Sequence, residues 1–144
     1  LPAKGELLTF KSNQPSEGYI LNKNGFVLPL GHQEFKVGAT YRWDEFTQTP
    51  TESSSEELQT KLASMGVSNY ELLDTYVGVR PATQDRRPFV GMLSGDKRGI
   101  FNGFGSKGVS LSPFFAKAFL QAILGEKELP ADVSIRRYSH LFSV

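Results

Sequence analysis

The stretch NGFGSKGVSLSPFF, Asn102 to Phe115, contains Gly103-Phe104-Gly105-Ser106-Lys107-Gly108, the G-x-G-x-x-G spacing of a dinucleotide-binding turn. Such a turn belongs to an open parallel sheet when a strand precedes it, a helix follows it, and a second parallel strand ends in an acid that binds a ribose hydroxyl. Here RGIFNGF reads as the strand and the residues after Gly108 as the helix, but ADVSIRRYSHLFSV puts arginines where the acid belongs. A doubly wound sheet is therefore not expected. Two local readings stay open. The loop can hold an electron-rich edge with its backbone N–H groups and the helix N-terminus, or it is a tight strand-to-helix turn whose glycines serve close packing.

The helix after the loop is the clearest element. Leu111, Phe114, Phe115, Ala118, Phe119, Ala122 and Ile123 share one stripe at helical spacing, which must pack on something. Ser112 and Pro113 supply an N-cap and first turn, and Gly125 an exit. Upstream, PFVGMLSGDKRGIFNGF reads as two strands joined by a turn at Ser94 to Lys97, and YELLDTYVGVRP as a strand closed by Pro81. The beginning of the chain is strand-rich too: GELLTFK, then GYILNKNGFVLPLG folded at Asn22 to Gly25, then EFKVGATYRW with Phe35, Val37, Ala39 and Tyr41 on one face. DEFTQTPTESSSEE is a polar loop that ends in a helix start. Ser54-x-x-Glu57 has the capping-box pattern, Leu58, Leu62 and Met65 follow at helical spacing, and Gly66 supplies the stop. Strands outnumber helices and their pairing signals are local. The expected class is α+β, a largely antiparallel sheet with one short amphipathic helix and a C-terminal helix.

Composition narrows the function classes. With 144 residues, no cysteine, 39% hydrophobic and 22% charged residues and a net charge of +1, the chain has the make-up of a soluble globular protein and lacks a bulk basic field for nucleic acid. No apolar run reaches the roughly 18 residues of a membrane helix, and LPAKGELLTFK lacks the layout of a signal peptide, so the cytoplasm is the default location. His32 and His140 lie far apart, and no pair of ligands has metal spacing, so no metal is expected. Neither a G-x-S-x-G elbow nor a P-loop is present.

In GVRPATQDRRP, Gly78 to Pro88, Arg80 follows an apolar strand and precedes a proline. A guanidinium on a rigid strand end can bind a carboxylate bidentately and hold it in register with a reacting centre. The plainer alternative pairs Arg80 with a structural acid such as Asp85 or Asp74. Asp85, Arg86 and Arg87 read as a solvated turn with local pairing, and no residue is assigned a catalytic role.

In order, LPAKGELLTF, FVLPLGHQEFKVGATYRWDEF, YVGVRPATQDRRPFVG, GIFNGFGSKGVSLSPFFAKAFLQAILGE and a closing RRY resemble the C-terminal half of the D-amino-acid-oxidase-like flavoproteins, among them glycine and sarcosine oxidases. The resemblance implies FAD as cofactor, with an N-terminal segment outside these residues carrying the dinucleotide fingerprint, so the chain is expected to be a fragment, inactive alone. It implies a substrate-domain sheet and helix over residues 1–78, and over 79–144 strands, the glycine loop and a helix that returns to the FAD domain. Gly103, Phe104, Gly105, Ser106, Lys107 and Gly108 would lie beside the flavin ring. Arg80 matches the arginine that grips the substrate carboxylate, and Lys107 joins it on the substrate side. The implied reaction moves a hydride from an amine or amino acid to the flavin.

The chain departs from glycine-oxidase-like loops, where a basic residue occupies the place of Ser106. Lys107 is one position later, as an arginine is in the oxidase domain of the bifunctional tRNA wobble-uridine modifying enzyme. That domain leaves a tRNA-type substrate as the one nucleic-acid partner to consider. The competing function, from another class, is a stand-alone binding module for small carboxylates or peptide termini.

Overall fold

The computed structural model describes residues 1–43, 45–93 and 97–141, in two compact units, Ala3–Val79 and Leu1–Pro2 with Arg80–Val144. The first holds a six-stranded sheet. Strand β1 (Pro2–Lys11) is its centre, and the path β2 (Leu21–Asn22), β3 (Phe26–Gly31), β4 (Glu34–Gly38), β1, β5 (Arg42–Trp43) is joined by β6 (Glu71–Pro81), which pairs with β1. Pairs β1–β4, β1–β5, β2–β3 and β3–β4 are antiparallel. The β2–β3 hairpin turns at Asn24 and Gly25, both at positive φ, as the Asn-Gly signal predicts.

Helix α1 (Glu52–Ser64) buries Leu58 and Leu62 among Leu8, Phe10, Val27, Phe35, Val37 and Val67. Phe10 and Phe35 are direct cross-strand partners with ring centroids 5.6 Å apart, so one aromatic pair ties β1 to β4 over the core. At the end of α1, Gly66 takes φ +83°, and Val67 donates its N–H to Leu62 O at 3.0 Å, which supplies the expected stop.

Two expectations in this unit need correction. The strand EFKVGATYRW breaks after Gly38, and Tyr41 is exposed while Thr40 is buried. Thr40 is the cause: its hydroxyl accepts the N–H of Glu6 at 2.9 Å and its own N–H donates to Glu6 O at 3.2 Å, replacing the ladder locally and resetting the alternation of faces. The N-cap of α1 is Thr51, whose hydroxyl accepts from Ser54 N, rather than Ser54. Glu57 closes no capping box and instead pairs with Arg42 and Lys61.

The second unit begins where Leu1 and Ala82 exchange N–H···O bonds of 2.7 and 3.2 Å. Strands β7 (Phe89–Met92) and β8 (Gly99–Asn102) form the expected hairpin. Ser94, Gly95 and Asp96 of its turn lie outside the described residues, and Leu93 N donates to Arg98 O at 3.0 Å. A 3-10 turn (Gly105–Lys107) leads into α2 (Gly108–Ile123), and a second 3-10 segment covers Ile135–Leu141.

The start of α2 is also corrected. The helix begins at Gly108, placing Pro113 inside it, because the preceding 3-10 turn winds directly into the first α-turn. Ser112 does not cap; its hydroxyl donates to Gly108 O one turn back. Proline is tolerated here because Val109, whose carbonyl loses an amide partner, is 97% exposed and reaches water. Of the predicted stripe, Leu111, Phe115, Ala118, Phe119 and Ala122 are half-buried, whereas Phe114 and Ile123 are exposed. No helix among the described residues is long and apolar enough to cross a membrane.

Candidate functional site

The glycine loop and the segment after Arg80, distant in sequence, meet in the second unit through an antiparallel bridge between Ala82 and Phe104. Arg80 is the penultimate residue of β6 and half-buried, and Pro81 ends the strand. On the other side of the bridge, the three glycines have three different duties. Gly103 is buried at φ +80°, and a Cβ there would sit 2.7 Å from Thr83 Cγ2, so its reason is packing against a residue whose hydroxyl is itself fixed on Arg87 O at 2.7 Å. Gly105 has φ +55° but room for a Cβ, with Ala82 Cβ 3.7 Å away, so its reason is backbone conformation alone. Gly108 has an ordinary helical φ of −54°, and a Cβ there would make only an ordinary contact with Phe104 Cβ at 3.7 Å, so neither packing nor conformation requires it.

Phe104 is half-buried and its ring lies 4.7 Å from that of Phe101 and 6.2 Å from that of Phe115, which anchors the loop to β8 and α2. Ser106 and Lys107 are exposed. Lys107 occupies the N-cap of α2 without a side-chain capping bond, and the first turn contains no acid. The positive end of the helix dipole and an ammonium thus coincide with nothing negative from the helix itself. This positive helix end fits an anionic or electron-rich group such as the polar edge of a flavin, and Gly108, where no side chain is required, is the residue at which the helix starts.

Asp85 has partners both near and far in sequence. It accepts from Arg87 N at 3.1 Å, Tyr138 Oη at 3.4 Å and Arg137 Nε at 3.3 Å. Burial raises its pKa, yet the Arg87 N–H, the Thr83 hydroxyl, the Arg137 charge and Tyr138 outweigh that and hold the carboxyl below its usual range. The turn is therefore tied over long range as well as locally. Arg137 also donates to Pro88 O at 2.9 Å and Arg87 O at 3.0 Å and lies 4.7 Å over the Phe89 ring, a latch that residue-type reasoning missed; the closing RRY was its one signal. Asp74 accepts from Thr75 N at 2.7 Å. Among the described residues no group of three His, Cys, Asp or Glu could hold a metal.

A sheet-and-helix unit and a strand–glycine-loop–helix unit are the elements that the resemblance to flavin-linked oxidoreductases implies. Residues 1–122 match the family model described as FAD dependent oxidoreductase, and the chain belongs to that family. It is similar to the glycine oxidase of Bacillus subtilis (strain 168), 26% identical over 136 residues, and to that of Bacillus licheniformis, 28% identical over 128 residues. These alignments cover 92% and 86% of this chain but 37% and 35% of the relatives, so the chain spans little more than a third of their length. Among solved structures, iminodiacetate oxidase from Chelativorans sp. BNC1 is 26% identical with a TM-score of 0.76, over 93% of this chain and 39% of that one. L-proline dehydrogenase from P. horikoshii, 17% identical with a TM-score of 0.80 over 96% and 40% of the two chains, shows the shared fold alone.

Proposed function

We propose that this chain is the substrate-side portion of an FAD-dependent oxidoreductase that oxidises a small amine or amino acid, completed by an N-terminal FAD-binding segment of the same protein. The observation that carries the reading is the Ala82–Phe104 bridge, which sets the end of the Arg80 strand beside the uncapped, acid-free start of α2. When bound, FAD supplies the two-electron acceptor that takes a hydride from the carbon next to the substrate nitrogen. This chain's residues bind and orient. Arg80 grips the substrate carboxylate with its planar fork, Lys107 adds positive charge on the substrate side, and the loop Gly103 to Gly108 lies at the flavin edge, where the positive end of α2 favours the negative charge that gathers there; the N–H groups of Gly103 and Lys107 are already held by Asn102 Oδ1 and Phe104 O. The oxidised amine leaves as an imine, which water hydrolyses.

Residues 1–78 then form the substrate-domain sheet with α1, and residues 79–144 return to the FAD domain. The outer side of α2, with Phe114 65% and Leu120 56% exposed, supports that return. The matched relatives include oxidases named for glycine and for iminodiacetate, which favours a small amine bearing a carboxylate over a tRNA-type substrate.

The test uses the full-length protein. Purified, it should carry flavin absorbance that bleaches anaerobically on adding an N-substituted glycine, and the isolated 144-residue chain should bind FAD poorly because it offers one edge of the cofactor a site. A full-length protein that never acquires flavin, yet retains carboxylates through Arg80, would establish the binding-module reading instead.

A further inference from the structure

The residues from Glu45 to Thr51 form no helix or strand and bury no apolar side chain; Phe46, the one large apolar residue, is 61% exposed. What attaches them to the sheet unit is a cation beneath them. Lys4 of β1 is wholly buried, and its Nζ donates to Glu45 Oε1 at 2.7 Å, Thr47 Oγ1 at 3.1 Å and Thr49 O at 2.8 Å, with Glu6 Oε1 at 3.2 Å. Glu6, also buried, accepts the N–H and the hydroxyl of Thr51, each at 3.0 Å. The segment is thus pinned at its far end by Glu6 and at its near end by β5, whose Trp43 and Arg42 pair with Ala3 and Lys4.

We propose that Glu45–Pro50 is a strap that opens and closes as one piece, with Lys4 as its latch. An ammonium stripped of water is tolerated only while oxygens surround it, and three of the four here belong to the strap. Those three are exchanged for water together, because each depends on the same nitrogen. No buried apolar side chain of the segment stands behind them to hold a half-open state. Opening pivots about Thr51 and uncovers the Lys4–Glu6 pair on β1, leaving the Phe10–Phe35 core untouched.

Chymotrypsin cleavage at Phe46 in the full-length protein reads the opening, since cleavage of a chain held by a rapid opening equilibrium follows the open population. Lys4→Met should raise the rate at Phe46 at least tenfold, and Glu45→Gln, which keeps the Lys4–Glu6 pair, by a smaller factor, with Phe10 and Phe35 still protected. Wild-type rates in both variants would overturn the latch, as would cleavage at Phe46 that rises only together with cleavage at Phe10 and Phe35. Should Lys4→Met fail to fold, Glu45→Gln combined with Thr47→Val decides by the same criterion.

Discussion

Ala82 and Phe104 are antiparallel bridge partners, and this one pairing joins the strand end that carries Arg80 to the loop that opens α2. A bridge outside any longer ladder is weakly held by itself. Its neighbours hold it here: Leu1 is hydrogen-bonded to Ala82 in both directions, and Gly103 packs on Thr83. The geometry of the proposed site therefore depends on the glycines beside it.

The three loop glycines should respond differently to alanine. Gly103→Ala combines a positive φ with a 2.7 Å approach to Thr83 Cγ2 and should cost about 1–3 kcal/mol. Gly105→Ala carries the conformational cost alone, about 1–2 kcal/mol. Gly108→Ala should be neutral or stabilising by up to about 1 kcal/mol, because alanine suits a helical position. Thermal unfolding of the three variants gives the order. If Gly108 leaves space for the flavin edge, its alanine variant should lose flavin affinity without losing stability; unchanged affinity would leave Gly108 no role in the cofactor site.

Acid should destabilise the fold through four carboxyls. Burial pushes Glu6, Glu57 and Asp85 upward, but hydrogen bonds from Thr51, from Lys61 and Arg42, and from the Arg87 N–H respectively outweigh it; the Lys4 hydrogen bond lowers Glu45 despite its desolvation. All four therefore lie below their ordinary values of 4.5 for Glu and 3.8 for Asp. Below those values the unfolded chain binds more protons than the native one, so stability is present above them and is lost as pH falls through the native pKa values. Melting temperature should drop steeply below about pH 4.5, and Glu6→Gln should start lower and fall less. A melting temperature constant down to pH 3 would contradict this.

How much of this was legible beforehand depended on whether the signal was local. The β2–β3 and β7–β8 hairpins, the Pro81 strand end and the Gly66 stop follow from turn chemistry written in neighbouring residues. Thr51 as cap and Thr40 as the break in the strand were hidden, since both depend on Glu6, a partner more than thirty residues away. Nothing near Lys4 and Glu6 in the sequence marks them as buried, because alternation cannot show that a loop will cover them. In the site, spacing alone could not distinguish a packing glycine from an open one; the neighbour across the Ala82–Phe104 bridge does.

Thr51 carries two structural duties at once, capping α1 through Ser54 N and holding Glu6 through its N–H and hydroxyl. Thr51→Ala should cost roughly 2 kcal/mol, at the upper end for an N-cap, because it also removes one hydrogen bond from a buried carboxylate. Thr51→Ser should restore most of it. Denaturant unfolding of the two variants measures the difference, and equal losses would assign the effect to the threonine methyl group.

The decisive prediction for function concerns Arg80 in the full-length protein. If its guanidinium grips a substrate carboxylate, Arg80→Ala should leave flavin content nearly unchanged while kcat/KM falls by the equivalent of about 2–4 kcal/mol, roughly 30- to 1000-fold. Arg80→Lys should rescue only part of this, since an ammonium lacks the planar fork. The informative control is a pair of amine substrates differing only in the carboxylate. The variant should lose most of its discrimination between them, because the wild-type advantage of the carboxylated member is the contact removed. Equal losses on both substrates, with folding intact, would make Arg80 a structural ion-pair partner and move the search for the carboxylate site to Lys107.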